Sequence, residues 1–128
     1  MKKSTKVTYW AITGLLCLQM IATGVGDILL VDQIVENISH VGFPISLVPF
    51  TGAMKVLGAL VILFVADIHL KIGAYAGMLF YGLGALYAHI AIGDPLTSSI
   101  PALIMVALTL ASYLLWKKHM FPVQLAEY

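Results

Sequence analysis

The sequence has no arginine, one cysteine and little charge of either sign. Seven lysines face six acidic residues, and charged residues fill only 10% of 128 positions. A soluble domain carries about 25% charged residues. With hydrophobic residues at 61%, this shortage excludes a water-soluble enzyme, a nucleic-acid binder and a disordered tail. Without arginine there are no bidentate forks for phosphate or carboxylate. A net charge of +1 is too small to steer a partner over long range. The lone Cys17 forms no internal disulfide, so the chain by itself lacks the dithiol chemistry of membrane disulfide formers. Cys17 is expected to serve only in packing. Zinc, P-loop, Rossmann and nucleophile motifs are also missing, and no catalytic residue is assigned.

What remains is apolar sequence along the whole length. At about 20 residues per membrane crossing, four spans are predicted, over about 7–30, 47–66, 72–92 and 98–116. The expected fold is all-α: a single membrane domain over 1–128, built as a four-helix bundle. Residues 31–41 carry Ile34, Ile38 and Val41 at helical spacing among Asp32, Glu36, Asn37 and His40. That pattern predicts a short amphipathic helix on the membrane surface. Gly42-Phe43-Pro44 ends it, with Gly42 at a C′ position. A Lys-rich start followed by Ala22-Thr23-Gly24 also has the outline of a signal peptide. The run Val7–Gly26 is long for that purpose and contains Gln19.

Six of the seven lysines (2, 3, 6, 71, 117 and 118) fall on one side of a four-span chain. Lys71 is assigned there to a turn over 67–71. The positive-inside rule makes that side cytoplasmic, with both termini inside and the surface helix outside. The expected location is the inner or plasma membrane. Lys55 is the exception, a charge within a span. Such a charge costs about 2.5–3.5 kcal/mol on insertion scales and generally faces the bundle interior.

Span direction then brings Asp27, Lys55, His89 and Asp94 to one level, in the outer half of the bundle. Gln19, Thr23 and Asp27 are four apart and share a helix face. The stripe is expected to point inward, toward Lys55. Tyr81 and Tyr87 are further candidates for hydrogen bonding in the same place. The functional reading is a polar pocket open to the outside, with Lys55 paired to Asp27 and His89 able to titrate near neutrality. A quinone headgroup or another small polar or anionic molecule suits it. The plainer reading is that Lys55 snorkels to the interface or that the pair only fixes packing. Gly73, Gly77, Gly84 and Ala88 are expected to form a close-packing face, within the bundle or between copies. Asp67, His69 and His119 lack metal-ligand spacing, so no metal site is expected. Haem held by two histidines would need a second chain.

Four segments carry a family resemblance. Gly52-Ala53-Met54-Lys55-Val56-Leu57-Gly58 resembles the G-x-x-K-x-x-G of DoxX-like membrane proteins, and Gly42-Phe43-Pro44 resembles their G-[YF]-P. Ala74-Tyr75-Ala76-Gly77 is similar to their A-Y-A-G. Gly84-Ala85, His89 and Gly93-Asp94 are similar to their G-A…H…G-D ending. The likeness covers about residues 10–115. Ile72 and Gly73 stand where the family often has Glu and an aromatic, so a cytoplasmic role for that acid does not carry over. The resemblance implies a four-helix membrane protein near respiratory or sulfur redox chemistry, since the family is named after a subunit of a thiosulfate:quinone oxidoreductase. Three functions follow. The first is a quinone-interacting or redox-associated subunit, with a redox enzyme complex as partner. The second is a non-catalytic scaffold. The third is a small-solute carrier or channel, which would need a homo-oligomer. An isolated chain with no cysteine pair, haem pair or nucleotide motif is not expected to be a complete enzyme.

Overall fold

The computed structural model describes residues 2–127. Six α-helices follow one another: α1 Lys3–Leu29, α2 Asp32–His40, α3 Val48–Phe64, α4 Ile68–Ala91, α5 Ile100–Leu115 and α6 Phe121–Leu125. Short 3-10 turns at Ile45–Leu47 and Leu96–Ser99 lead into α3 and α5, and a π-turn at Trp116–Met120 joins α5 to α6. No strand occurs among the described residues.

Three stretches are long and apolar enough to cross a bilayer: Lys3–Leu29, Ile45–Phe64 and Leu96–Leu125. The 24-residue α4 spans about 36 Å at 1.5 Å per residue, but its glycines, tyrosines and histidines make it less apolar. Large apolar side chains such as Leu18, Phe64 and Phe80 are exposed, whereas Thr13, Asp27, Lys55, Thr109 and Ser112 are buried. This placing of polar groups inside, among buried Tyr9, Leu16, Met20 and Ile62, with large apolar side chains turned outward, is the arrangement a lipid solvent favours.

α1 and α3 run antiparallel. Cys17 Sγ lies 3.7 Å from the Ala59 carbonyl oxygen, while further along α1 Gly24 meets Gly52, earlier in α3. α4 and α5 are also antiparallel, with Tyr75 against Ser112 and Gly82 against Met105 and Val106. One end of the bundle therefore holds α2 and the α4–α5 loop. The other holds the start of α1, the α3–α4 loop and the chain after α5.

At that second end the core is aromatic and hydroxylic. Ser112 Oγ lies 2.6 Å from Thr13 Oγ1 and 2.7 Å from Tyr75 Oη. Trp116 packs on Tyr75, Tyr113 and Phe121, and its indole N–H donates to Gln124 Oε1 at 2.8 Å, folding the tail back. The expectation of a loop position for Lys71 is corrected here. Asp67 caps α4 by accepting the Leu70 N–H at 2.9 Å, so the helix begins at Ile68. Lys71 then falls on the inward stripe Ile68, Lys71, Tyr75, Met78 and Gly82, only 4% exposed, with its ammonium 5.9 Å from the Trp116 ring centroid.

The close approach of α1 to α3 depends on two missing side chains. A Cβ on Gly52 would lie 2.5 Å from the Gly24 carbonyl oxygen and 2.7 Å from Asp27 Cβ, and a Cβ on Gly24 would lie 2.8 Å from the Gly52 carbonyl oxygen. Backbone cannot yield as a flexible side chain does. Gly52→Ala and Gly24→Ala should each destabilise the protein by about 1–3 kcal/mol through overpacking. Gly14 faces open space, so Gly14→Ala should be neutral or stabilising by up to about 1 kcal/mol. Thermal unfolding in detergent micelles checks all three.

Candidate functional site

The same two glycines bring two charges together. Asp27 follows Gly24 by three residues and Lys55 follows Gly52 by three. Because α1 and α3 are antiparallel, each glycine faces the charged residue of the other helix: a Cβ on Gly52 would lie 2.7 Å from Asp27 Cβ, and one on Gly24 would lie 3.1 Å from Lys55 Cβ, so the two long side chains meet across the crossing. Lys55 Nζ donates to Asp27 Oδ2 at 2.8 Å, with side-chain exposures of 9% and 2%. The ammonium also sits 4.5 Å from the Tyr81 ring centroid, a cation–π contact that strengthens where water is excluded.

A second set of charges is placed by loop geometry. α4 ends with Gly93 at φ +79°, a conformation that glycine adopts without a Cβ clash. The Asp94 N–H then returns to the His89 carbonyl at 3.1 Å and the Gly93 N–H to Ile90 at 3.1 Å, closing a Schellman motif. That turn sets the Asp94 carboxylate beside the His89 ring, Oδ2 to Nδ1 at 2.7 Å. α2 ends in the same way, with Gly42 at φ +80° and the Phe43 N–H bonded to Ile38. Its last residue, His40, reaches Asp94 Oδ1 through Nε2 at 2.8 Å. Asp94 thus ties the surface helix to the end of α4. Hydrogen bonds from His89 and then His40 hold its carboxyl below the usual range for aspartate.

Between these two groups lies a cavity of about 370 Å³. α1 contributes Gln19 and Thr23, α2 contributes Asn37 and His40, and α3 contributes Lys55. α4 and its loop contribute Tyr81, Ala85, His89 and Asp94, and the start of α5 adds Ser98, Pro101, Ala102 and Met105. Of the residues expected from sequence, Gln19, Thr23, Lys55, Tyr81, His89 and Asp94 line it. Asp27 stands behind Lys55 and is absent from the lining. Tyr87 is corrected: it is 72% exposed and lies on the outside of α4, because six residues turn it about 120° away from Tyr81. Thr23 spends its hydroxyl on the Gln19 carbonyl at 2.8 Å. Gln19 Oε1 is buried and has no hydrogen-bond partner.

Sequence reasoning missed Asn37, Ser98 and the α5 residues as lining groups. Asn37 was within reach, since it lies three before His40 and shares its face. The pairing of Gly24-x-x-Asp27 with Gly52-x-x-Lys55 was also visible as two matched spacings. The stripe Gly73, Gly77 and Gly84 does not act as a close-packing face within the chain, because a Cβ at any of the three would meet nothing within 4 Å.

Two outcomes follow. Removing one partner of the buried pair, as in Lys55→Met, should cost roughly 3–5 kcal/mol. The neutral pair Asp27→Leu with Lys55→Met should regain most of it; unfolding curves of the three variants make the comparison. Asp94→Asn should raise hydrogen exchange several-fold in Asp32–His40 and leave Val48–Phe64 unchanged. A carboxylate with a lowered folded pKa contributes stability above its unfolded value and loses it as pH falls through the folded value. Protection of α2, corrected for intrinsic exchange, should therefore persist at pH 5 and fade only below about pH 4, the ordinary aspartate value.

No curated protein and no solved structure matches this chain. A family model does: that of the DoxX-like family, over residues 11–112. The match takes in α1 through most of α5, and so every residue of the polar cavity. With its long apolar helices, the chain is a membrane protein, and it belongs to the DoxX-like family.

Proposed function

We propose that the protein is a four-span membrane subunit that binds a quinone-type headgroup in the polar cavity. The observation that carries this reading is the cavity lining, in which the Gln19 amide of α1 and the Lys55 ammonium of α3 border the same space. A primary amide carries two donors and an acceptor, so the Gln19 side chain suits either a ligand carbonyl or a ligand hydroxyl. An ammonium has three donors. Asp27 takes one, which leaves Lys55 able to donate to a ligand carbonyl. Donors and acceptors on one wall suit a head that presents carbonyls when oxidised and hydroxyls when reduced. A bound quinone would supply two-electron redox chemistry. This chain's part is to bind and orient it, and His89 and His40 stand at the mouth where a proton enters or leaves. The chain has no redox group of its own in this reading and hands the ligand to a redox partner in the same membrane.

The topology belongs to the same proposal. α1, α3, α4 and the α5–α6 segment each cross the bilayer. The end bearing six lysines faces the cytoplasm, and the cavity opens on the opposite side of the plasma membrane. Cysteine-labelling of Ser4→Cys and Ser39→Cys in intact cells should mark only the second.

Binding is tested with a tailless, water-soluble benzoquinone titrated into detergent-solubilised protein. Saturable binding is expected, weakened at least tenfold by Gln19→Leu and by the neutral pair Asp27→Leu with Lys55→Met. Absence of saturable binding to the wild-type protein, or equal binding by all three, refutes the reading.

A further inference from the structure

A second cavity, of about 470 Å³, lies along the outside of the bundle between α3 and α4. It differs from the polar cavity in every respect but two. Its walls are apolar, with Met20, Met54, Leu57, Met78 and Leu70 among them. Methionine side chains adapt their shape to irregular apolar ligands. Along α4 it runs from Tyr81 to His69, about 18 Å at 1.5 Å per residue. Its width comes from absent side chains: Gly73 and Gly77 line it, and a Cβ on either would meet nothing within 4 Å. The shared features are Lys55 and Tyr81, which line both cavities. Lys55 and Tyr81 thus form a shared border with a polar room on one side and an apolar channel on the other.

We infer that the α3–α4 groove holds the hydrocarbon chain of the same molecule whose head occupies the polar cavity. The ligand class is then a membrane amphiphile: a compact, oxygen-bearing head joined to a long flexible chain. This inference rests on the headgroup reading above and adds the chain. Three observations support one occupant spanning both spaces. The cavities meet at Lys55 and Tyr81. Each falls within the about 300–1,000 Å³ range of small-molecule sites. The polarity changes at that border, as it changes at the head of an amphiphile. The groove also opens sideways, so a chain enters from the bilayer without crossing water.

The test pairs two probes with two variants. The probes are the tailless benzoquinone and the same ring carrying a ten-carbon chain. Gly77→Leu fills the groove. Gly84→Leu is the control, for it adds the same side chain to the same helix at an open position that lines neither cavity. Leucine favours helix over glycine, so both variants are expected to fold, which monodispersity and a thermal melt verify. The wild-type protein should bind the tailed probe at least tenfold more tightly than the tailless one. Gly77→Leu should abolish that advantage and leave tailless binding unchanged, and Gly84→Leu should alter neither. Equal affinity for the two probes overturns the inference while the headgroup reading stands. So does an unchanged tail advantage in Gly77→Leu. If neither probe binds the wild-type protein, both ideas fall together.

Discussion

The contact on which the rest depends is the crossing of α1 and α3, where backbone touches backbone at Gly24 and Gly52 and each glycine faces the charged residue of the other helix. A lysine and an aspartate in a bilayer are each costly alone. Here the ammonium and carboxylate are 2.8 Å apart and nearly removed from solvent. The close approach at the glycines draws the pair inside the interface, where the separation is set by main-chain atoms. The two glycines and the two charges therefore act as one unit: G-x-x-D on one helix locks into G-x-x-K on its antiparallel neighbour.

That unit gives the cavity its asymmetry. Lys55 is fixed from behind by Asp27 and from the side by the Tyr81 ring, so its remaining donor capacity lies at a defined place in the wall. Across the cavity, the Asp94 carboxylate is held by two imidazoles that reach it from different elements. One anion is thus buried and paired with a fixed cation. The other lies at the mouth and is bound by two imidazoles, His89 and His40. The surface helix is tethered through the outer one and through Ile34, whose Cδ1 lies against Gly26.

Much of this was legible beforehand. Helical periodicity, the scarcity of charge and the one-sided lysines were enough to predict an all-α membrane chain with α2 on its surface. Co-location of Asp27, Lys55, His89 and Asp94 followed from helix direction alone, since alternating helices return residues to the same level. Rotation about each helix axis was less accessible. Tyr87 shares a level with His89 but points away, and Lys71 lies inside because Asp67 starts α4 earlier than the apolar run suggests. Both errors arise where a boundary or a facing is decided by a cap or by a neighbour, not by the local run of residues.

Composition, spacing and turn chemistry by themselves determined that the chain belongs in a membrane, where its helices lie and which polar residues share a level. These are properties of periodicity and of transfer free energy, and both act locally. Only the tertiary structure decided that Asp27 backs Lys55 rather than lining the cavity, that Gln19 has no partner, and that Gly73 and Gly77 border an open groove instead of a helix contact. Each of these depends on the distance between elements far apart in the chain, and that distance is set by which side chains are absent at the crossing.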